Sequence, residues 1–292
     1  MSHSTRTAAV SAPAPHAFAR VRAWFRADAR RDGFPPWVAD VVAWTPIVGT
    51  VVLALIYLID RPSYYMVLRE DFPVEWLQFA ALLFTAVLAA LTAWRLRHRR
   101  GAAIVLVLVA VGALLLAGEE ISWAQRALNI ATPDRLAGVN EQAETNFHNI
   151  EVTGFRLQSV FKGITVLIAV AGVAFAWLTR GPRARLTGPF WGTLAVPTYT
   201  MIGSLTMVGY KIASLIAPVS PVVRYQEWAE AALYLSLGAT ICAISTRSRP
   251  ATSTDRPALL TLLVVVIITV VLAALTAHHG IVPLNNPEAL NR

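Results

Sequence analysis

The stretch that decides the fold is AAIVLVLVAVGALLLAGEEISW, residues 102–123, an unbroken run of apolar or small residues closed by two adjacent glutamates and a tryptophan. A helix rises about 1.5 Å per residue and a bilayer's hydrocarbon core is about 30 Å thick, so about 20 such residues cross it. Six further segments meet the same requirement, at residues 37–59, 73–94, 157–178, 190–216, 226–244 and 258–278. The composition agrees. With 56% hydrophobic and only 14% charged residues, the chain has too little polar surface to cover a water-facing globule. The expected fold class is all-α, a polytopic membrane helix bundle of about seven transmembrane helices whose main partner is the lipid bilayer.

The charges between these segments give the bundle an orientation. Arg6, Arg20, Arg22, Arg26, Arg30 and Arg31, the turn with Arg95, Arg97, Arg99 and Arg100, the turn with Arg180, Arg183 and Arg185, and Arg247, Arg249 and Arg256 all fall on one side. The other side carries Arg61, Arg69, Arg126, Arg135, Arg156, Arg224 and Arg292, seven against sixteen. Loops rich in Lys and Arg resist translocation, so the N terminus is expected in the cytoplasm and the C terminus outside. The location that fits is a bacterial inner membrane, crossed several times. Net charge is +8, but it sits in short clusters between apolar runs, which speaks for topology and against nucleic acid. Cys242 is the sole cysteine, which rules out an intramolecular disulfide and a multi-cysteine zinc site.

Three parts follow from this layout. Residues 1–36 form a basic cytoplasmic leader, either disordered or an interfacial amphipathic helix, since Phe18, Val21, Phe25 and Ala29 recur at helical spacing while Arg22 and Asp28 blur the pattern. Residues 37–279 form a single bundle with an outer loop at 124–156, and residues 280–292 an extracytoplasmic tail.

Polar residues collect at the outer end. Glu119 and Glu120 lie in the last turns of the 102–123 helix, where a continuing helix sets Glu119, Ser122, Trp123 and Arg126 on one face. In the outer loop a short helix over residues 140–151 would align Glu141, Glu144, His148 and Glu151. Glu227 and Glu230 open the 226–244 segment beside Arg224, and Asp71 and Glu75 open the 73–94 segment. A charge at a helix centre costs about 2.5–3.5 kcal/mol on insertion scales, so groups this near the membrane are expected to face a cavity or a partner.

Gly118-Glu119-Glu120-Ile121-Ser122-Trp123 with Gln125-Arg126, then Thr132-Pro133 and Asn146-Phe147-His148-Asn149, resembles a signature of uncharacterised bacterial multipass membrane proteins. Ala124 stands where that signature has glycine. The resemblance covers about thirty residues and implies no activity.

Three readings of the acidic patch follow. The first is a metal-assisted lipid-modifying or hydrolytic enzyme. Its catalytic carboxylates would be Glu119 and Glu120, and its ligands for zinc, manganese or iron Glu120, Glu144, His148, Glu227 and Glu230. Arg126 and Arg224 would hold the anionic headgroup of a lipid or lipid-linked substrate. The second is an ion- or proton-coupled transporter that uses the acids with Lys162, Lys211 and Tyr210. The third is a non-enzymatic subunit or oligomer in which each acid pairs with a base to lock helix ends.

Overall fold

The structure, a computed structural model, describes residues 16–137, 139–140, 145–147, 150–152, 155–181, 184–249 and 256–279. Its helices are α1 (Ala17–Arg31), α2 (Pro36–Ile59), α3 (Arg61–Val67), α4 (Pro73–Arg95), α5 (Arg100–Glu120), α6 (Asp134–Ala137), α7 (Leu157–Arg180), α8 (Pro189–Thr193), α9 (Met201–Ile216), α10 (Ser220–Arg224), α11 (Gln226–Arg247) and α12 (Arg256–His279). A two-residue antiparallel pair, β1 (Glu151–Val152) and β2 (Phe155–Arg156), precedes α7. Proline stands in the first turn of α2, α3, α4, α8 and α10, where its missing N–H costs no hydrogen bond and its fixed φ suits the helix.

Among the described residues, six helical segments are long and apolar enough to cross a membrane: α2, α4, α5, α7, α12 and the run Ser220–Arg247. The chain is thus an all-α polytopic bundle. The segment expected to span residues 190–216 is divided into α8, an extended stretch through Pro197, a 3-10 turn at Thr198–Thr200 and the 16-residue α9. Pro197 is the cause, because it cannot donate to the helix ladder and drives the residue before it out of the helical region. The shortened α9 still packs between α7 and α11.

Helices α4 and α11 form the axis. Ala81, Ala86 and Ala89 of α4 and Ala229, Ala231 and Ala232 of α11 are all buried, and such small side chains let backbones approach in a solvent that supplies no hydrophobic drive between helices. In contrast, α12 shows lipid most of its surface, with Leu259, Leu263, Ile267 and Val270 exposed. Helix α2 is held to α11 through Gly49. A Cβ there would lie 1.8 Å from the Trp228 ring, whose N–H donates to the Pro46 carbonyl at 3.2 Å.

The described part of the leader holds the helix α1, and one face of it packs on the bundle. Phe25 and Ala29 pack against Ala39, Ala43 and Tyr199, and Asp28 and Asp32 are about 1% exposed. Asp28 Oδ2 accepts from the Thr198 N–H at 2.7 Å and hydroxyl at 3.0 Å, and Asp28 Oδ1 lies 3.3 Å from Arg180. Asp32 Oδ1 accepts from Arg180 at 2.7 Å and Arg247 at 2.5 Å, and Tyr199 donates to Asp32 Oδ2 at 3.3 Å. Burial pushes the Asp28 carboxyl up, with the Thr198 N–H and Arg180 opposing. One of the two residues that blur the amphipathic pattern is therefore one that docks the helix.

Candidate functional site

Helix α5 stops at Glu120, short of the expected Trp123. Ser122, Trp123 and Ala124 take φ of 46°, 55° and 62°, a left-handed turn that costs each L-residue about 1–2 kcal/mol. The single face expected for Glu119, Ser122, Trp123 and Arg126 does not form, because the chain reverses its hand. Instead the turn folds Trp123 back over Gly118, where a Cβ would lie 2.8 Å from the indole ring.

Glu119 is the peg of this arrangement. Its Oε1 accepts from the Trp123 indole N–H at 2.8 Å and its Oε2 from the Phe147 backbone N–H at 2.7 Å. Ser122 Oγ accepts from the Asn146 amide at 3.0 Å, and Gln125 Oε1 accepts from the Thr145 backbone N–H at 2.6 Å. Residues 145–147 are thereby strapped across the end of α5. Of the stretch expected as a helix over 140–151, the described residues 140, 145–147, 150 and 151 are not helical. Asn140 bridges Ile150 in antiparallel fashion, and the Asn140 side chain donates to the Asn146 carbonyl at 2.9 Å and to its Oδ1 at 2.8 Å. Asparagine side chains that satisfy nearby backbone compete directly with a helix. Glu141, Glu144 and His148 themselves lie outside the described residues, and Glu151 sits in β1.

Below the strap, α4, α5, α7 and α11 enclose a chamber of about 110 Å³. Six carboxylates line it: Glu70, Glu75, Glu119, Glu120, Glu227 and Glu230, with Lys162, Gln158, Gln226 and Tyr234 between them. Glu120 Oε1 accepts from the Tyr234 hydroxyl at 3.4 Å, and Glu230 Oε1 from the Gln226 amide at 2.9 Å. The Gln78 amide donates to the Glu227 carbonyl at 2.6 Å and to its Oε2 at 3.4 Å, and the Asp71 backbone N–H donates to Glu75. Among the described residues, none of Glu75, Glu120, Glu227 and Glu230 forms an ion pair within 4 Å. Neutral donors hold them in place without cancelling their charge. Charge balance in so small a space calls for protons or a bound cation in addition to Lys162.

The sequence-derived residues thus divide. Glu119, Glu120, Glu227 and Glu230, from two helices over a hundred positions apart, do meet in one chamber. Arg126 lies outside its lining, ion-paired with Asp71 and 3.7 Å from Glu70, so it ties the α5 turn to the start of α4. Arg224 also lies outside the lining, near enough to act electrostatically on Glu227. Among the described residues, no three His, Cys, Asp or Glu side chains converge closely enough to hold a metal ion. Sequence reading missed Glu70, Gln158, Gln226 and Tyr234 as lining. The helical step from Glu227 to Glu230 and on to Tyr234 was a usable signal for the last. No family model, curated protein or solved structure matches the chain.

Proposed function

We propose that this protein is a membrane-embedded hydrolytic or lipid-modifying enzyme whose glutamate chamber opens toward the outer leaflet of a bacterial inner membrane. The observation that carries the reading is the chamber itself: carboxylates from α4, α5 and α11, held by neutral donors, in a space the size of a few waters. Such groups can hold and release protons at a fixed place, which is the requirement for general acid–base catalysis. Glu120 and Glu230 are the acid–base candidates, since each has one oxygen placed by Tyr234 or Gln226. Glu119, whose two oxygens are both engaged by the strap, has a positioning role.

Metal assistance belongs to the same proposal. Glu120, Glu227 and Glu230 do not converge on a metal site by themselves, so Glu144 and His148, which lie outside the described residues, would have to complete the ligands for zinc, manganese or iron, and the metal when bound would supply an activated water.

The test is metal analysis of purified protein together with lipid turnover in proteoliposomes followed by mass spectrometry. Wild type should carry a divalent ion and convert a lipid, while Glu120→Gln and His148→Ala lose both and keep their thermal stability. Equally metal-free samples remove the metal-assisted form, and turnover that survives Glu120→Gln and Glu230→Gln together removes the enzyme.

A second reading, proton- or ion-coupled transport, is favoured by one observation. Buried hydroxyls of Ser204, Ser236, Thr240, Thr200 and Thr198 run along α9 and α11 toward Asp28, with Thr240 bonded to Thr200 at 3.3 Å. A pH-sensitive dye in proteoliposomes decides it: transport predicts a flux abolished by Glu230→Gln.

A further inference from the structure

A second cavity lies on the lipid-facing side of the bundle, a groove of about 490 Å³ between α2, α9 and α10, within the range of small-molecule sites. Aromatic rings build its wall. Tyr57 and Tyr64 meet edge to face at 5.2 Å, and Tyr210 and Tyr225 stand 6.2 Å apart. The hydroxyls are turned away into the protein: Tyr225 bonds Thr50 at 2.5 Å, Tyr64 donates to the Pro221 carbonyl at 2.6 Å, and Tyr210 donates to Gln226 at 3.1 Å. Rings fixed by part-buried hydrogen bonds make a preformed apolar trough, and Gly209 leaves its far side open, with nothing within 4 Å of where a Cβ would stand.

Three observations say what fills it. The two helices that flank the groove also carry exposed apolar residues, Val51 and Leu58 on the membrane-spanning α2 and Leu205 and Ile212 on α9, so the surrounding medium is acyl chain. At the mouth, the Arg61 guanidinium lies over the Tyr57 ring at 5.2 Å, a cation level with the headgroups and complementary to a phosphate. At the inner wall, Tyr210 donates to Gln226 Oε1 while the Gln226 amide donates to Glu230 at 2.9 Å. One glutamine therefore separates the groove from the glutamate chamber.

We infer that the α2–α9 groove binds one acyl chain of a membrane phospholipid, with its phosphate at Arg61, and presents the glycerol ester region to the chamber through Tyr210 and Gln226. Chain binding stands alone; that the bound phospholipid is the substrate rests on the enzymatic reading above. The site also replaces Arg126 as the headgroup contact.

The experiment uses the full chain in nanodiscs made with phosphatidylglycerol that carries a diazirine on its acyl chain, with adducts mapped by mass spectrometry after illumination. Adducts should concentrate on residues 50–57 and 206–213. Gly209→Trp, whose Cβ has open space and whose indole would fill the trough, should cut them at least fivefold. Gly112→Trp, whose Cβ likewise has open space, should leave them unchanged. Adducts as dense on the exposed face of α12 as in the groove, or unchanged by Gly209→Trp, overturn the inference. Full labelling in a Glu120→Gln, Glu230→Gln double variant that turns over lipid as wild type does would refute the chamber's chemistry and leave chain binding standing.

Discussion

Replacing Asp32 by alanine tests how the N-terminal helix is held. Its carboxylate is fully buried and one oxygen serves both Arg180 at 2.7 Å and Arg247 at 2.5 Å, while the other takes the Tyr199 hydroxyl. Removing one partner from a buried pair costs about 3–5 kcal/mol, because the remaining charge stays out of water. For a chain of this size each kcal/mol is worth roughly 2 °C, so Asp32→Ala should lower the midpoint by about 6–10 °C. Asp32→Asn, which keeps an acceptor for one guanidinium, should lose about half of that. Cys242, the sole cysteine and half-buried in α11, is a built-in reporter: a thiol-reactive dye in detergent follows the loss of tertiary packing. Combining Asp32→Ala with Arg247→Met should cost less than the sum of the two, with a coupling of about 0.5–3 kcal/mol. A midpoint within 2 °C of wild type for Asp32→Ala, or strict additivity in the double variant, would refute the idea that this network fixes α1.

Three more outcomes can be checked. Ala124→Gly should stabilise the protein by about 0.5–1 kcal/mol in the same melt, because relief of left-handed strain at φ 62° exceeds the added chain entropy, whereas Ala124→Val should destabilise it. Glu119→Gln turns an amine toward either the Trp123 or the Phe147 N–H and forfeits one acceptor, costing about 1–3 kcal/mol, so amide exchange at residues 145–152 should quicken roughly tenfold or more. In a background with Cys242 replaced by alanine, cysteines at Arg97 and Ser63 should be labelled by an impermeant thiol reagent from opposite faces of spheroplasts and inverted vesicles; labelling from one face alone would overturn the topology.

How much of this was legible depends on which forces act locally. Spans such as 102–123 declare themselves because lipid demands an apolar residue at almost every position of a helix it surrounds. The meeting of Glu119, Glu120, Glu227 and Glu230 was also readable, since four acids near one membrane surface have few places to go. Pattern failed where a single polar residue outweighed many apolar ones. Asp28 looks like a flaw in an amphipathic helix until Thr198 and Arg180 supply its surroundings from elsewhere in the chain. The turn at 122–124 was hidden for a related reason: nothing in Ser-Trp-Ala calls for a left-handed backbone, and only Gly118 and the two acceptors of Glu119 make it hold.

Helix α11 bears two of the chamber glutamates, Glu227 and Glu230, in its first turns and Arg247 in its last, with 72% of its most apolar stretch buried. It is a rod keyed at both ends, so inserting one residue near its middle would turn one key by about 100° against the other and leave one lock unfilled. Length changes should therefore be forbidden in α11 yet tolerated in α12, whose most apolar stretch is only 11% buried. A library of single-residue insertions scored for folded protein would draw that boundary along the chain.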